Sequence, residues 1–136
     1  MKKNPDKKNK VILQYRVPYA DTDQMRVVYY ANYLVYFERL RNELIRKSGT
    51  TYVDIEKKGL AFPVMEVHCD YLQPAEYDDE LSITGWLSWV EGSRFQVDYD
   101  ILRGDTLLVS GYTIHAVINE ERRPRRVPEE FAALID

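Results

Sequence analysis

Residues 19–43 read YADTDQMRVVYYANYLVYFERLRNE. Two patterns meet in this stretch. Tyr19 to Arg26 is polar and carries Asp21, Thr22 and Asp23, the composition of a loop. Beyond it, apolar residues recur at steps of three and four. Leu34, Phe37 and Leu40, continued by Leu44 and Ile45, fall on one helical face. Glu38, Arg39, Arg41, Glu43, Arg46 and Lys47 mostly face away. Asn32 is placed to cap the start and Gly49 to end the helix. The spacing predicts one long helix with a single apolar stripe, which needs a partner surface.

That surface is written on both sides. Upstream, Val11, Leu13, Tyr15 and Val17 alternate with Ile12, Gln14 and Arg16, the period of a half-buried strand that Pro18 ends. Downstream, Thr51 to Lys58 predicts a short second helix closed by Gly59. Then Met65, Val67, Cys69 and Tyr71 alternate with Glu66, His68 and Asp70. Leu81, Ile83 and Leu87 mark the next strand, after a turn at Pro74–Asp79. Phe95, Val97, Tyr99 and Ile101 mark another, and Thr106 to Ile118 a long last one. Pro128 is placed to open a terminal helix from Glu129 to Leu134. Strands joined by tight turns run antiparallel. The expected fold is α+β, a five-stranded antiparallel sheet curled around one long helix.

The 136 residues fit one domain. Residues 1–10 carry five lysines and one aspartate, and the rest of the chain is therefore −7. We expect a disordered basic tail over 1–10 and the folded domain over 11–136. An acidic domain argues against nucleic-acid binding. One cysteine, Cys69, excludes an internal disulfide and suits a reducing, cytoplasmic setting. No apolar run reaches the length of a membrane span. No metal-ligand spacing occurs: His68 and Cys69 are adjacent, so on a strand they face opposite ways, and His115 is isolated.

The chemistry-bearing residues are Asp21 and Asp23. Each is ionised at neutral pH and able to act as a base or a nucleophile. A helix start just beyond them offers unpaired backbone N–H groups and a partial positive charge. Such donors hold an oxygen that gains negative charge. An acidic loop that merely leads into a helix has the same composition, so the residues alone leave both readings open.

The wording of the segment resembles the signature of the 4-hydroxybenzoyl-CoA thioesterase family, with its YbgC-like acyl-CoA thioesterases, in the hotdog-fold superfamily. The family pattern runs Y-x-D-T-D-x-x-G-V-V-Y-[HYF]-A-N-Y, then F-E-x-x-R-x-E. It is matched by Tyr19, Asp21, Thr22, Asp23, Val27, Val28, Tyr29, Ala31, Asn32, Tyr33, Phe37, Glu38, Arg41 and Glu43. The strand order and the ending RPRRVPEEF extend the resemblance over nearly the whole chain after residue 10. It implies a hotdog fold, a homodimer or homotetramer with the site at the subunit interface, and hydrolysis of acyl-CoA thioesters. Coenzyme A is then part of the substrate and no cofactor is needed.

By the same resemblance, Asp23 is the catalytic carboxylate and the backbone N–H of Tyr30 the oxyanion contact, while Asp21 shapes the loop. Arg26, Tyr29, Asn32 and Arg94 are the expected substrate-binding residues. The chain departs from the pattern at Arg26, where glycine is usual, and at Tyr30, where many YbgC-like members have histidine. Alternatives of the same fold are an acyl-carrier-protein thioesterase, a hydratase, and a non-catalytic acyl-CoA binding module.

Overall fold

The computed structural model describes residues 1–135. Its strands are β1 (Lys2–Lys3), β2 (Val11–Arg16), β3 (Val64–Tyr71), β4 (Glu80–Glu91), β5 (Arg94–Arg103) and β6 (Thr106–Ala116). Its helices are α1 (Asn32–Lys47), α2 (Tyr52–Lys57) and α3 (Glu129–Ala132). All pairings are antiparallel. β3, β6, β5 and β4 lie side by side, and the far edge of β4 is shared by β2 and β1. The expected sheet around one long helix is present, with a two-residue strand added.

That added strand corrects the reading of residues 1–10 as a disordered tail. β4 has twelve residues and β2 only six, so β2 covers β4 as far as Gly85. The rest of the edge would carry unpaired backbone groups. Lys2 and Lys3 pair with Val90 and Trp89 there. Asn4 is buried, and its side-chain amide donates to Leu87 O at 2.9 Å. Lys7 Nζ sits 4.6 Å above the Trp86 ring.

α1 packs on the sheet through Tyr33, Tyr36, Phe37, Leu40, Leu44 and Ile45. Leu34, expected in the apolar stripe, is exposed instead. The buried face is rotated toward Tyr33 and Tyr36, whose large rings reach the core while their hydroxyls find partners. Phe37 stacks on Tyr99 at 4.1 Å with the rings 7° apart. The close approach of helix and strands depends on Gly85 and Gly111. A Cβ at Gly85 would overlap the Leu40 side chain, and one at Gly111 would overlap the His68 carbonyl oxygen.

The β5 alternation reads as expected: Phe95, Val97, Tyr99 and Ile101 are buried. β3 does not follow its alternation. Val64, Met65, Val67 and Tyr71 are all exposed, and Cys69 is only partly covered. β3 is an open sheet edge, reached by β6 on one side alone.

His115, isolated in sequence, is held in a buried polar chain. Its Nδ1 lies 3.0 Å from Phe62 O and its Nε2 lies 2.8 Å from Thr113 Oγ1. Thr113 Oγ1 is 2.7 Å from Tyr99 OH, to which Arg41 Nη1 donates at 3.2 Å. Burial pushes the imidazole pKa down to about 4; the Phe62 carbonyl opposes this and the Arg41 cation adds to it. The unfolded chain therefore binds a proton that the folded chain refuses between pH ~6.5 and ~4. Stability from this group is complete above the unfolded pKa and falls as pH drops through that window, by about 3 kcal/mol in all. Urea unfolding across this range is expected to show a flatter profile in His115→Gln than in wild type. Equal slopes would exclude the effect.

Candidate active site

The acidic loop is a small braced hairpin. A single 3-10 turn, Tyr19–Asp21, follows Pro18, and Thr22 bridges Val28. Asp23 N–H donates to Val27 O at 2.9 Å, and Arg26 N–H to Asp23 O at 2.9 Å. The hairpin rests on the segment before β4: Val28 N–H donates to Ala75 O, and Tyr77 N–H to Arg26 O.

The two aspartates have different surroundings. Asp21 Oδ2 accepts from Tyr15 OH at 2.6 Å and from Tyr36 OH at 2.7 Å. Burial, then the hydrogen bond to the Asp21 carboxylate, pushes the Tyr15 phenol up to about 12 and the Tyr36 phenol up also. Asp21 O accepts from Tyr29 N–H at 2.9 Å and from the Asn32 side-chain amide at 2.8 Å. Asp21 thus ties β2, α1 and the loop together. Asp23 is freer. One carboxylate oxygen accepts from Met25 N–H at 2.8 Å, and the other has no partner among the described residues.

Asp23 opens onto a groove of about 290 Å³, lined also by Val28, Tyr30, Tyr33, Tyr71 and Leu72. The backbone N–H of Tyr30, two residues before α1, donates to no acceptor among the described residues. Asn32, expected as the cap, is the first helical residue; Ala31 holds the cap position without a side-chain bond. The Asn32 amide is committed to Asp21, which makes it a positioning residue for the helix start.

Tyr71 was not anticipated in this site. Its hydroxyl donates to Tyr30 O at 3.2 Å, and its ring lies 5.5 Å from that of Tyr33. Burial, then a hydrogen bond with Cys69, pushes its phenol up to about 12. Nothing in its strand pattern distinguishes it from other exposed positions. Only pairing of β3 beside β6 brings it to the helix start.

Tyr29 is exposed, with its ring 4.8 Å from that of Tyr30. Arg26 lies next to the groove rather than in it. Its guanidinium is 5.6 Å from the Tyr77 ring, and it lines a separate cleft with Met25 and Glu76. Arg94 stands at the start of β5, across the hairpin from Glu91, and does not line the Asp23 groove. Among the described residues no group of His, Cys, Asp or Glu side chains is arranged to hold a metal ion. No described helix is long and apolar enough to cross a membrane.

Arg26 has φ +64°, in the left-handed region, which explains why glycine suits this position. Arg26→Gly is expected to be about 1 kcal/mol more stable than Arg26→Ala. Both lose the contact with Tyr77, so their difference isolates the backbone term. Equal urea midpoints would show that the turn adapts.

The sequence pattern of the thioesterase-like superfamily matches residues 17–135. The acyl-CoA thioesterase YbgC of Haemophilus influenzae is 35% identical over 121 residues, covering 87% of this chain and 88% of that protein. A probable thioesterase from Bartonella henselae superposes with TM-score 0.83 at 38% identity, over 88% of this chain and 99% of that one. The DHNA-CoA thioesterase of Staphylococcus aureus superposes with TM-score 0.81 at 30% identity, over 86% and 80%. A sheet curled on one helix, an aspartate hairpin at its start and a match across the domain lead to one conclusion: the chain belongs to the thioesterase-like superfamily and is a hotdog-fold thioester hydrolase.

Proposed function

We propose that the protein hydrolyses acyl-CoA thioesters with Asp23 as the reacting carboxylate and the Tyr30 N–H as the oxyanion donor. The carrying observation is that a carboxylate oxygen and an amide N–H, both without partners among the described residues, belong to residues lining one groove. The names of its relatives, which act on acyl-CoA, support the substrate class.

In the simplest route Asp23 takes a proton from water, whose oxygen attacks the thioester carbon. The carbonyl oxygen becomes negative against the Tyr30 N–H. The C–S bond then breaks, and the departing thiolate takes up the proton, leaving acid and free thiol. In the second route Asp23 itself attacks the thioester carbon and expels the thiolate, and water then adds to the Asp23 carboxyl carbon of the anhydride, freeing the acid and giving a proton to the thiolate. Single turnover in heavy-oxygen water separates them, since only the second labels Asp23. Release of free thiol across a panel of short, long and aromatic acyl-CoAs tests the reading. Tight acyl-CoA binding without thiol release from any of them would overturn it.

The functional unit is a homodimer, with dimers of dimers as the larger form. The open β3 edge exposes Val64, Met65 and Val67, an arrangement that pairing with a second copy would cover. Because Tyr71 and Leu72 at the end of β3 line the groove, the partner would close over the site. The free thiol of Cys69 suits a cytoplasmic protein. Light scattering checks the assembly, and a monomer at working concentration would refute it.

A further inference from the structure

A second cavity lies between the later turns of α1 and the sheet. Its volume is about 130 Å³, and it shares no lining residue with the Asp23 groove. Its inner wall is apolar and buried, formed by Ile45, Phe62, Phe95, Val97 and Phe131, and the rest of its lining, which includes Tyr52 and His115, is more polar. A cavity of about 150 Å³ with apolar walls holds a benzene ring.

One cation lines this space. Arg41 spends a single N–H on Tyr99 OH, and among the described residues it has no ion pair and no other hydrogen bond. The polar groups behind it satisfy one another through Thr113, His115 and the Phe62 carbonyl. Among the described residues none of these groups accepts from the remaining guanidinium donors. Those donors form a planar fork that matches a carboxylate. Glu38 and Asn42 also line the cavity, and both are exposed. Facing water, the Glu38 charge is screened and opposes an anion only weakly.

We propose that this cavity binds a small carboxylic acid with an aromatic or branched tail, its carboxylate on the Arg41 guanidinium and its tail among Phe62, Phe95 and Phe131. The site stands independently of the chemistry at Asp23. Size limits the tail to about one ring. The single fork favours a monocarboxylate over a neutral compound of the same shape.

Benzoate is the probe, titrated into the full chain while the Arg41 side-chain and His115 ring signals are followed by NMR. Saturable shifts of both are expected, with weaker binding of benzyl alcohol. Arg41→Gln is expected to weaken benzoate about tenfold or more, since it removes a charged hydrogen-bond pair. Glu38→Gln is expected to tighten it by about two- to threefold, through loss of a screened like charge. Asp23→Asn is expected to leave it unchanged. If Arg41→Gln does not fold, Arg41→Lys, which keeps the charge and loses the fork, is expected to bind with intermediate affinity. The proposal is overturned if benzoate produces no saturable shift at His115 in wild type. It is overturned equally if a folded Arg41 variant binds as tightly as wild type, or if the shifts fall on the Asp23 groove and vanish in Asp23→Asn.

Discussion

Asp23→Asn is expected to lower kcat for acyl-CoA hydrolysis by roughly 10²–10⁴-fold while leaving the fold and KM nearly unchanged. The magnitude corresponds to about 3–5 kcal/mol of lost transition-state stabilisation. The fold survives because asparagine keeps a carbonyl oxygen for the Met25 N–H. Substrate binding survives because the change removes a proton acceptor or nucleophile and little volume. Asp21→Asn supplies the contrast. Both phenols donate to the one oxygen Oδ2, which asparagine keeps as its amide oxygen, so the change turns two charge-assisted hydrogen bonds into neutral ones. Its main loss is expected in stability, about 1.5–3 kcal/mol. Steady-state thiol release and urea unfolding on both variants separate the two roles. Equal turnover of wild type and Asp23→Asn would remove Asp23 from the mechanism.

Gly111→Ala is expected to destabilise the fold by about 3 kcal/mol or more. Gly111 lies in β6, with Cys69 of β3 on one side and Tyr99 of β5 on the other. The added Cβ would overlap the His68 carbonyl oxygen and stand 3.1 Å from the Phe37 ring. The first of these is backbone, so relief requires moving β3. The second is a ring clamped against Tyr99. Moving β3 also displaces Tyr71, which holds the Tyr30 carbonyl, so activity should fall with stability. The urea midpoint, at unchanged m-value, reads the loss. A change below about 1 kcal/mol would mean that the β3 edge yields easily.

Much of the architecture follows from local pattern. The β5 alternation needs no context, because a strand between two neighbours and under a helix has one face to hide. The α1 period is equally plain, although Leu34 was misplaced. Its spacing suits the stripe, but the stripe turns toward Tyr33 and Tyr36, whose hydroxyls have partners at Ala75 and Asp21. The reading of β3 failed for a topological reason. Alternation says that two faces differ, whereas an edge strand that overhangs the core leaves both faces open. The basic tail failed for a related one: its charge suggests disorder, yet β4 outruns β2 and offers it an edge.

At the site, the sequence by itself determined the chemical inventory. It put two carboxylates beside a helix start, and its resemblance to a known signature selected Asp23 and the Tyr30 amide. It also marked Arg26 and Tyr30 as departures. Tertiary structure decided what these residues are free to do. Asp21 and Asp23 are equivalent as letters, and they differ because two phenols from β2 and α1 converge on the first while the second opens on the groove. Tyr71 reaches the helix start only because β3 pairs with β6, and Arg41 lines an aromatic cavity only because α1 side chains pack against Tyr99 of β5. The physical reason is common to all three. Periodicity and propensity act over a few neighbouring residues, whereas hydrogen-bond partners and burial are set by segments distant in the chain.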